Sequence, residues 1–279
     1  MTTQEFKQRC IELRMKNYTI GEIIKELNRP KTSIYTHIKN IPKSKFLIDK
    51  ITKNNLLHLN KIRPDLKGIS WTKRHCKGFT KWTPHLVNLL AHSMFDGRLT
   101  KTDFTYFNSN LVLIDSFKGK MKIIYDYEPR IYKTRENVIR LAYFSVELAD
   151  FLRIKQKELL DKILTFNRTF QREFLKAFFD DEGSIYFQKK RNSRRVKGSQ
   201  YDNEILFLVR GLLRNFGIES KVDARFHEII ISRRENLEKF AEEINFSTGV
   251  KVNGLRSNSI WKQDLEKREI LRRAVNSYL

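Results

Sequence analysis

The sequence predicts an α+β protein in which a unit of helix, two strands, helix, two strands and helix occurs twice, behind a small all-α domain. Two related motifs support the duplication: LLAHSMFDG at residues 89–97 and FLKAFFDDEG at residues 174–183 both end an apolar helical run with an acid and a glycine. The same order of apolar segments and turns follows each motif, whereas residues 1–41 have only helical periodicity. One such unit exposes a sheet, and two units side by side form a saddle.

The composition indicates a folded core and a polyanionic partner. The chain has 279 residues, of which 40% are hydrophobic, including 20 Phe and 10 Tyr, so it can build a core. Its 55 Lys and Arg residues against 32 Asp and Glu residues give a formal charge of +23, which suits nucleic acid or a membrane surface. Because no apolar run approaches the roughly 20 residues that span a bilayer, we expect double-stranded DNA as the partner and no membrane.

Cysteine usage indicates a reducing compartment. Cys10 and Cys76 are too few for a disulfide framework, and their spacing is not that of a metal site. The N-terminus has no apolar signal core. We therefore expect a cytoplasmic protein, associated with the nucleoid if its source is prokaryotic.

Residues 1–41 predict a small domain of three helices. The first helix covers residues 4–15. Thr19 forms a capping-box pair with Glu22, in which a hydroxyl and a carboxylate satisfy free amides at the start of the second helix. A break at residues 28–30 then separates the second helix from the third.

The third helix gives this domain its functional interpretation. Thr32 or Ser33 caps a helix that runs to Ile41. Three short helices with a tight turn before the last resemble a helix-turn-helix module, whose last helix enters the major groove of DNA. A plain three-helix cap on the larger domain is the alternative. The candidate DNA-binding residues of this helix are Lys31, Thr32, Ser33, Tyr35, Thr36 and Lys39.

Residues 42–81 are predicted to be a basic linker. Pro42 and Pro64 interrupt regular structure, and basic residues greatly outnumber the acids Asp49 and Asp65. The segment is either a solvated tether or a strap across phosphates, where each contact releases counterions.

The larger domain divides into a first repeat at residues 82–165 and a second repeat at residues 166–255, and a C-terminal helix at residues 256–279 closes it. The first repeat is predicted as a helix at 84–95, a strand-like segment at 98–108, a helix at 109–120, strands at 131–134 and 138–145, and a helix from Val146. The second repeat is predicted as a helix at 172–181, strands at 184–190 and 194–200, a helix at 203–216, strands at 221–225 and 228–232, and a helix at 235–244.

This sequence resembles the LAGLIDADG homing endonuclease family, in its two-motif, monomeric form, over roughly residues 80–250. The second motif carries acids at both acidic positions of the family motif, Asp180 and Glu182. The first motif departs from the pattern because Met94 stands at the first acidic position, but Asp96 occupies the second. The resemblance implies a monomeric saddle with internal pseudo-two-fold symmetry and a DNA-cleaving activity that uses Mg²⁺ or Mn²⁺.

The acids at the two motif ends are candidate catalytic residues and metal ligands. Asp96 and Glu182 occupy matching positions, and Ala91 and Ala177 supply the small residues that two helices need at closest approach. In the saddle these acids meet at its base, where carboxylates, water and phosphate give Mg²⁺ its oxygen ligands. The alternative is a pair of polar helix ends that bind no metal.

Two lysines are further catalytic candidates. Residues 151–160 resemble the segment of single-motif family members that carries a catalytic-site lysine, and this match places the role on Lys155. Its counterpart after the last helix of the second repeat is Lys251. Such lysines offset charge on the phosphate or position the attacking water. In so basic a chain, the alternative for each is a phosphate contact or a solvated charge.

The strands supply further DNA contacts, because every other side chain along a strand points to the same face. Since the two repeats differ throughout, we expect an asymmetric target. The candidate residues are Arg98, Lys101, Arg130, Lys133, Arg140, Gln188, Lys190, Arg194, Arg195, Lys197 and Arg225.

Three functions remain open from the sequence. The first is a site-specific double-strand DNA endonuclease that hydrolyses phosphodiester bonds with Mg²⁺ or Mn²⁺, and the two retained acids favour it. The second is a non-cleaving transcriptional regulator that keeps the saddle and the helix-turn-helix, and the divergent first motif favours it. The third is an RNA maturase.

Overall fold

The computed structural model of the protein describes residues 2–62, 75–134, 137–254 and 261–278. The chain divides into two compact units, residues 1–73 and 74–279. Within the described residues, every helix is too short or too polar to cross a membrane.

The first unit is helical, as predicted. Its first three helices pack around a small apolar cluster, and the capping box between Thr19 and Glu22 is present at the start of the second helix. The helices are α1 Thr3–Met15, α2 Ile20–Leu27, α3 Lys31–Ile38 and α4 Lys45–Ile62. The buried members of the cluster are Cys10, Leu13, Ile23, Ile34 and Ile38.

The start of α3 differs from the prediction. Pro30, rather than Thr32 or Ser33, occupies the N-cap position, and no side chain caps the helix. The pyrrolidine ring holds φ of Pro30 at −58°, close to the helical value, so the helix begins at the next residue. The helix ends at Ile38, earlier than expected.

The structure corrects the predicted linker, because its first half is helix α4. The Ser44 hydroxyl accepts a hydrogen bond from the Leu47 amide at 3.1 Å, and the Leu47 side chain is buried. Lys50 pairs with Glu22 of α2 at 2.9 Å, which holds α4 to the first unit. Residues 63–74 of the predicted linker lie outside the described residues.

The second unit contains the predicted arrangement twice. Four antiparallel strands form one sheet in each repeat. The first repeat consists of α5 Pro84–Phe95, β1 Gly97–Leu99, β2 Phe104–Asn108, α6 Leu111–Met121, β3 Arg130–Lys133, β4 Ile139–Tyr143 and α7 Val146–Lys162. The second repeat consists of α8 Arg168–Asp181, β5 Gly183–Gln188, β6 Ser193–Ser199, α9 Asn203–Asn215, β7 Lys221–Asp223, β8 Glu228–Ile231 and α10 Arg234–Glu243. The strand orders match: β1-β2-β4-β3 and β5-β6-β8-β7.

Helices α5 and α8 pack against each other between the repeats. Ala91 and Ala177 are completely buried, as expected where two helices approach closely. The Phe95 ring meets the rings of Phe174 and Phe178 edge-on, with centroids 5.5 and 5.1 Å apart, an arrangement that aromatic pairs favour. One hydrophobic core therefore runs through both repeats and holds the ends of the two motif helices together.

The closing helix α11, Lys267–Asn276, is shorter than the predicted 256–279. A short pairing of extended backbone precedes it, in which the amides of Val252 and Lys267 donate to the opposite segment at 2.9 and 2.8 Å. Because Lys267 takes part in this pairing, the helix cannot begin earlier. Residues 255–260 of the predicted helix lie outside the described residues.

The two motif acids are followed by glycines because there is no room for a side chain at these positions. Backbone conformation is not the reason, since neither glycine has a positive φ. An ideal Cβ at Gly97 would lie 1.9 Å from the carbonyl oxygen of Ser93. An ideal Cβ at Gly183 would lie 2.1 Å from the carbonyl oxygen of Phe179. At both places the strand leaves the helix so sharply that any side chain would collide with backbone.

Replacing Gly183 by alanine should therefore destabilise the protein. We expect the free energy of unfolding to fall by about 2 kcal/mol, a typical cost of overpacking. The matched control is Gly119→Ala in α6, where nothing lies within 4 Å of the added methyl group; helix propensity predicts a gain of up to about 1 kcal/mol there. Chemical denaturation measures both variants, and equal stabilities would contradict the packing argument.

Candidate active site

Asp96 and Glu182 end the two motif helices in the same way. Each acid is the C-cap residue of its helix, and its amide donates to the carbonyl four residues earlier, at 3.2 Å for Asp96 and 2.9 Å for Glu182. Each acid's own carbonyl then accepts from a strand of the same repeat: from the Phe107 amide at 3.0 Å and from the Ser199 amide at 3.2 Å. The two acids are thus structural counterparts as well as matching positions in the sequence.

The carboxyl groups of the two acids lie within electrostatic reach of each other. Burial, followed by the charge of Asp181, raises the pKa of Asp96 to about 7. Burial, followed by the charge of Asp96, raises the pKa of Glu182 to about 7. Asn108 supports Asp96 directly, because its Nδ2 donates to Asp96 Oδ2 at 2.7 Å. The ends of α5 and α8 therefore place Glu182 within range of the charge of Asp96.

A third acid, Asp181, lies beneath this site with its side chain fully buried. Its carboxyl group contacts three residues of the first repeat: His92 Nδ1 at 2.7 Å, the Tyr106 hydroxyl at 3.2 Å and Asn108 Nδ2 at 3.3 Å. Burial, followed by the charge of Asp180, raises the pKa of Asp181. Burial also lowers the pKa of His92 to about 4, so the imidazole is neutral at pH 7 and the short contact is a hydrogen bond rather than an ion pair.

The sequence prediction did not assign a role to Asp181. The sequence did contain a signal for such a role. Each apolar motif helix is interrupted by a polar residue at a position where the motif helix of the other repeat has an aromatic residue. His92 corresponds to Phe178, and Asp181 corresponds to Phe95. Since a buried polar side chain needs a partner, two such interruptions on adjoining helices indicate that they contact each other.

Asp180, the first acid of the family motif, anchors the chain after α10. Its Oδ1 accepts from the Ser247 amide at 2.8 Å. Its Oδ2 is buried and has no hydrogen-bond partner among the described residues. Asp180 therefore holds a neighbouring segment in place and also adds negative charge beneath the site.

Lys267 brings a positive charge close to these acids, and the sequence prediction missed it too. Its ammonium donates to the carbonyl oxygen of Asp180 at 2.7 Å and to that of Phe179 at 3.4 Å. Burial lowers the pKa of Lys267, and the charges of the neighbouring carboxyl groups act in the opposite direction. The closing helix carried no motif that distinguished this lysine from the many others in the chain.

The structure does not support the assignment of Lys155 to the site. Its ammonium pairs with Glu158 at 2.6 Å and lies over the rings of Phe79 and Trp82, with centroids at 4.9 and 5.7 Å. A lysine on this face of α7 is attracted to its own i+3 acid and to the aromatic rings beside it. Its partners are thus structural ones rather than Asp96.

Lys251, by contrast, lines a cavity of about 510 Å³ together with Asp96 and Lys267. The first repeat contributes Asn108 to this cavity, and the second contributes Tyr186. The cavity therefore lies where the two repeats and the C-terminal segment meet, and it gives Asp96 access to the surface.

The carboxyl groups fit a divalent cation. Carboxylate oxygens are preferred ligands of Mg²⁺ and Mn²⁺. A cation would also relieve the crowding of negative charge that contributes to the raised pKa values of Asp96 and Glu182. Among the described residues, no group of three or more His, Cys, Asp or Glu side chains is arranged to hold a metal. Mg²⁺ usually keeps several waters and takes one or two carboxylates together with phosphate oxygens, so two protein carboxylates are a sufficient number.

Strand register assigns the predicted contacts of the first sheet to two faces. Arg140 stands opposite Phe107 on β2 and Tyr132 on β3. Arg98 and Arg130 share this face, since they stand opposite Thr105 and Ala142. We call this the first sheet face, and its members are Arg98, Thr105, Phe107, Arg130, Tyr132, Arg140 and Ala142.

Lys133 points to the other side of the first sheet. It stands opposite Ile139, whose alternation with Leu141 places it on the side that helix α6 covers. Lys133 and Arg140 therefore lie on opposite faces of the sheet, because adjacent residues of one strand face opposite ways, and DNA binding by Lys133 stays a prediction.

The second sheet divides in the same manner. Gln188, Arg195 and Lys197 share a face with Tyr186, over whose ring the Arg195 guanidinium lies at 5.0 Å from the centroid. Lys197 pairs with Glu228 at 2.5 Å. We call this the second sheet face, and its members on β5 and β6 are Ser184, Tyr186, Gln188, Ser193, Arg195, Lys197 and Ser199.

Arg194 is a structural residue rather than a DNA contact. It stands opposite Phe187 on the helix-covered side and is buried. Its guanidinium donates to the Ser277 hydroxyl at 2.6 Å and lies over the Tyr278 ring, 4.4 Å from the centroid. Arg194 thus attaches the end of α11 to the second sheet.

The remaining predicted contacts lie on exposed turns or on α3. Lys101, Lys190 and Arg225 occupy the connections between the paired strands of the two sheets, and all three are exposed. The candidates of α3 are exposed as well, and their binding to DNA stays a prediction: Lys31, Thr32, Ser33, Tyr35, Thr36 and Lys39.

The raised pKa values predict that the metal-free protein loses stability as the pH rises. Asp96 and Glu182 hold their protons up to about pH 7 in the folded state but only to about pH 4 when unfolded. Their contribution to stability is full below pH 4 and is lost as the pH rises through 7. Asp96→Asn should therefore flatten the fall in Tm between pH 5 and 8, measured in the presence of chelator.

Glu158→Gln is the control for this titration. Hydrogen bonds from Lys155 and Lys162 lower the pKa of Glu158 to about 2, so this carboxyl group does not titrate between pH 5 and 8. The control should keep the wild-type slope. A wild-type slope in Asp96→Asn would show that Asp96 does not titrate as described.

Comparison with known proteins identifies the second repeat. The model of the LAGLIDADG-like domain family matches residues 169–245. Among solved structures, one from the mesophilic variants of the homing endonuclease I-DmoI is 21% identical to this chain. The match covers 59% of this chain and 91% of that chain, with a TM-score of 0.45. I-DmoI in complex with DNA and Mn gives 20% identity over 58% of this chain and 96% of that chain, with the same TM-score of 0.45. Full-length DUF199/WhiA from Thermatoga maritima gives 16% identity over 72% of this chain and 63% of that chain, with a TM-score of 0.47.

The search of curated protein sequences gives no match. The matched residues, 169–245, cover the second repeat from α8 to α10, and this repeat has the α+β architecture described above. The second repeat of this chain is therefore a LAGLIDADG-like domain.

Proposed function

We propose that the protein is a site-specific double-strand DNA endonuclease that requires Mg²⁺ or Mn²⁺. The observation that supports this most is the matched placement of Asp96 and Glu182 at the ends of two helices that pack together. One carboxylate from each repeat suits a reaction in which two strands are cut. Asp96 reaches the surface through the cavity that both repeats line.

Asp96 and Glu182 would hold the metal, which supplies an activated water and stabilises the leaving oxygen. Asn108 orients the Asp96 carboxylate through its 2.7 Å hydrogen bond. Lys251 lines the same cavity and is suited to contact the phosphate. A hydrogen bond with His92 and one donated by Tyr106 fix Asp181 beneath the site, where its charge reaches Asp96.

The two sheet faces would bind the duplex on either side of this site. The first sheet face carries three arginines, and arginine pairs bidentately with guanine or phosphate. The second sheet face combines Arg195 and Lys197 with Gln188, which suits adenine. Since the faces differ chemically, the target is asymmetric. Helix α3 of the first unit would add a major-groove contact, as in a helix-turn-helix module.

A non-cleaving DNA-binding regulator is the second candidate. The observation that favours it is the ammonium of Lys267, which offsets part of the negative charge of the acids without a metal. A cluster compensated in this way can persist as part of the core of a protein that binds DNA and does not cut it.

Cleavage assays with plasmid or genomic fragments separate the two candidates. The wild type should give discrete cuts with Mg²⁺ or Mn²⁺ and none with chelator. Asp96→Asn and Glu182→Gln should each reduce cleavage about a hundredfold or more, because each removes a charge that stabilises the reacting phosphate, while DNA binding persists. Asp126→Asn, at an exposed acid that pairs with Lys77, is the control and should cut normally. Tight binding with no cleavage under either metal would favour the regulator.

Strand register gives a second prediction, on DNA affinity. Arg140 lies on the first sheet face between the rings of Phe107 and Tyr132, 5.8 and 5.4 Å from their centroids. Arg140→Ala should weaken binding by about 1–3 kcal/mol. Lys133→Ala makes the same change in net charge on the opposite side of the sheet and should alter affinity little. Equal losses in the two variants, measured by fluorescence anisotropy, would contradict the assignment of faces.

A further inference from the structure

Lys267 introduces a positive charge into the site from outside both repeats. It is the first residue of α11, and only 7% of its surface is exposed. Its ammonium donates to the carbonyl oxygens of Asp180 and Phe179 at 2.7 and 3.4 Å. These carbonyls belong to the last turn of α8, which is the negative end of the helix dipole. The ammonium therefore lies at the end of the helix that Glu182 caps.

The backbone around Lys267 is tied to the first repeat. The Lys267 amide donates a hydrogen bond to the backbone segment that contains Lys251. The Lys251 amide in turn donates to Asn110 Oδ1 at 2.8 Å. The Asn110 amide donates to Asn108 Oδ1 at 2.8 Å, and Asn108 Nδ2 donates to Asp96. A continuous series of hydrogen bonds thus connects the C-terminal segment to Asp96, so the ammonium has little freedom to withdraw.

Four carboxyl groups interact with the charge of Lys267: those of Asp96, Asp180, Asp181 and Glu182. A buried ammonium requires such partners, because an isolated charge away from water is costly. The ammonium also stabilises the charged forms of the carboxyl groups, which are crowded together and largely buried. The cluster thus contains a cation that belongs to the protein itself.

We propose that Lys267 is the resident counter-cation of this carboxylate cluster and that it weakens divalent metal binding in the DNA-free protein. This inference rests on the proposed function, in which Asp96 and Glu182 are the metal ligands. A dication that enters the site is repelled by an ammonium that it cannot displace. The phosphates of a bound duplex add negative charge and oxygen ligands, so metal binds together with DNA.

Titration of the intact protein with Mn²⁺ at pH 8, without DNA, tests this proposal. Lys267→Gln removes the charge but keeps an N–H group that can donate to the Asp180 carbonyl. It should bind Mn²⁺ about tenfold more tightly or better, because a unit charge a few ångströms from a dication is removed. Lys267→Arg keeps the charge and should bind like the wild type. Electron paramagnetic resonance of free Mn²⁺ gives the affinities directly.

Two controls locate the effect. Lys239→Gln removes an exposed lysine whose ammonium also donates to a backbone carbonyl, that of Gly217 at 3.0 Å, and it should leave Mn²⁺ affinity unchanged. The double variant Asp96→Asn with Lys267→Gln should lose the gain. The proposal is overturned if folded Lys267→Gln binds Mn²⁺ no more tightly than the wild type, or if its gain survives Asp96→Asn.

If Lys267→Gln does not fold, the wild type decides the matter. Without DNA it should bind Mn²⁺ with a dissociation constant of about 1 mM or weaker, the range of weak oxygen-ligand sites. Micromolar binding without DNA would overturn the proposal. None of these measurements involves cleavage, so a failure of the nuclease function would be seen separately in the plasmid assay.

Discussion

The contact between α5 and α8 is the constraint on which the site depends. Each helix ends at its acid, and the glycine that follows leaves no room for a side chain, so the helix ends cannot move apart without disturbing the sheets. The small residues Ala91 and Ala177 lie fully buried on these two helices, where a larger side chain would push the carboxyl groups apart. The shared core of both repeats, rather than any local loop, thus holds the two acids together.

Bringing acids together in a buried place is unfavourable, and the surrounding groups offset this in different ways. His92 and Tyr106 satisfy Asp181 through hydrogen bonds. Lys267 supplies a positive charge, and Asn108 connects Asp96 with Asp181 by donating to both. These groups come from three parts of the chain: the first repeat, the second repeat and the C-terminal segment. The site is therefore a property of the assembled second unit and not of either motif alone.

Local patterns in the sequence predicted most of the fold, and long-range contacts account for what was missed. Helix α5 has the predicted ends, and the structure shows local causes for its start, a threonine N-cap followed by a proline. The roles of Asp181 and Lys267 were not predicted, since they depend on residues far away in the sequence. Arg194 was a candidate DNA contact, yet it is buried on the helix-covered side; the sequence could not assign its face because strand register depends on pairing, and a shift of one residue reverses every side chain. Helix α4 was missed because its polar face is rich in lysine and asparagine, which resembles a linker.

The hydrogen bonds of Asp181 also require that a second repeat packs against a first repeat and not against another second repeat. At the positions equivalent to His92 and Tyr106, the second repeat has Phe178 and Gly198, and an ideal Cβ at Gly198 would lie 2.4 Å from the Phe178 ring. Two second repeats joined to each other would bury each Asp181 against phenylalanine, without a donor, at the cost of an unsatisfied acid. The interior therefore favours pairing of two unlike repeats, and a symmetric pair of second repeats would need substitutions at several of these positions together.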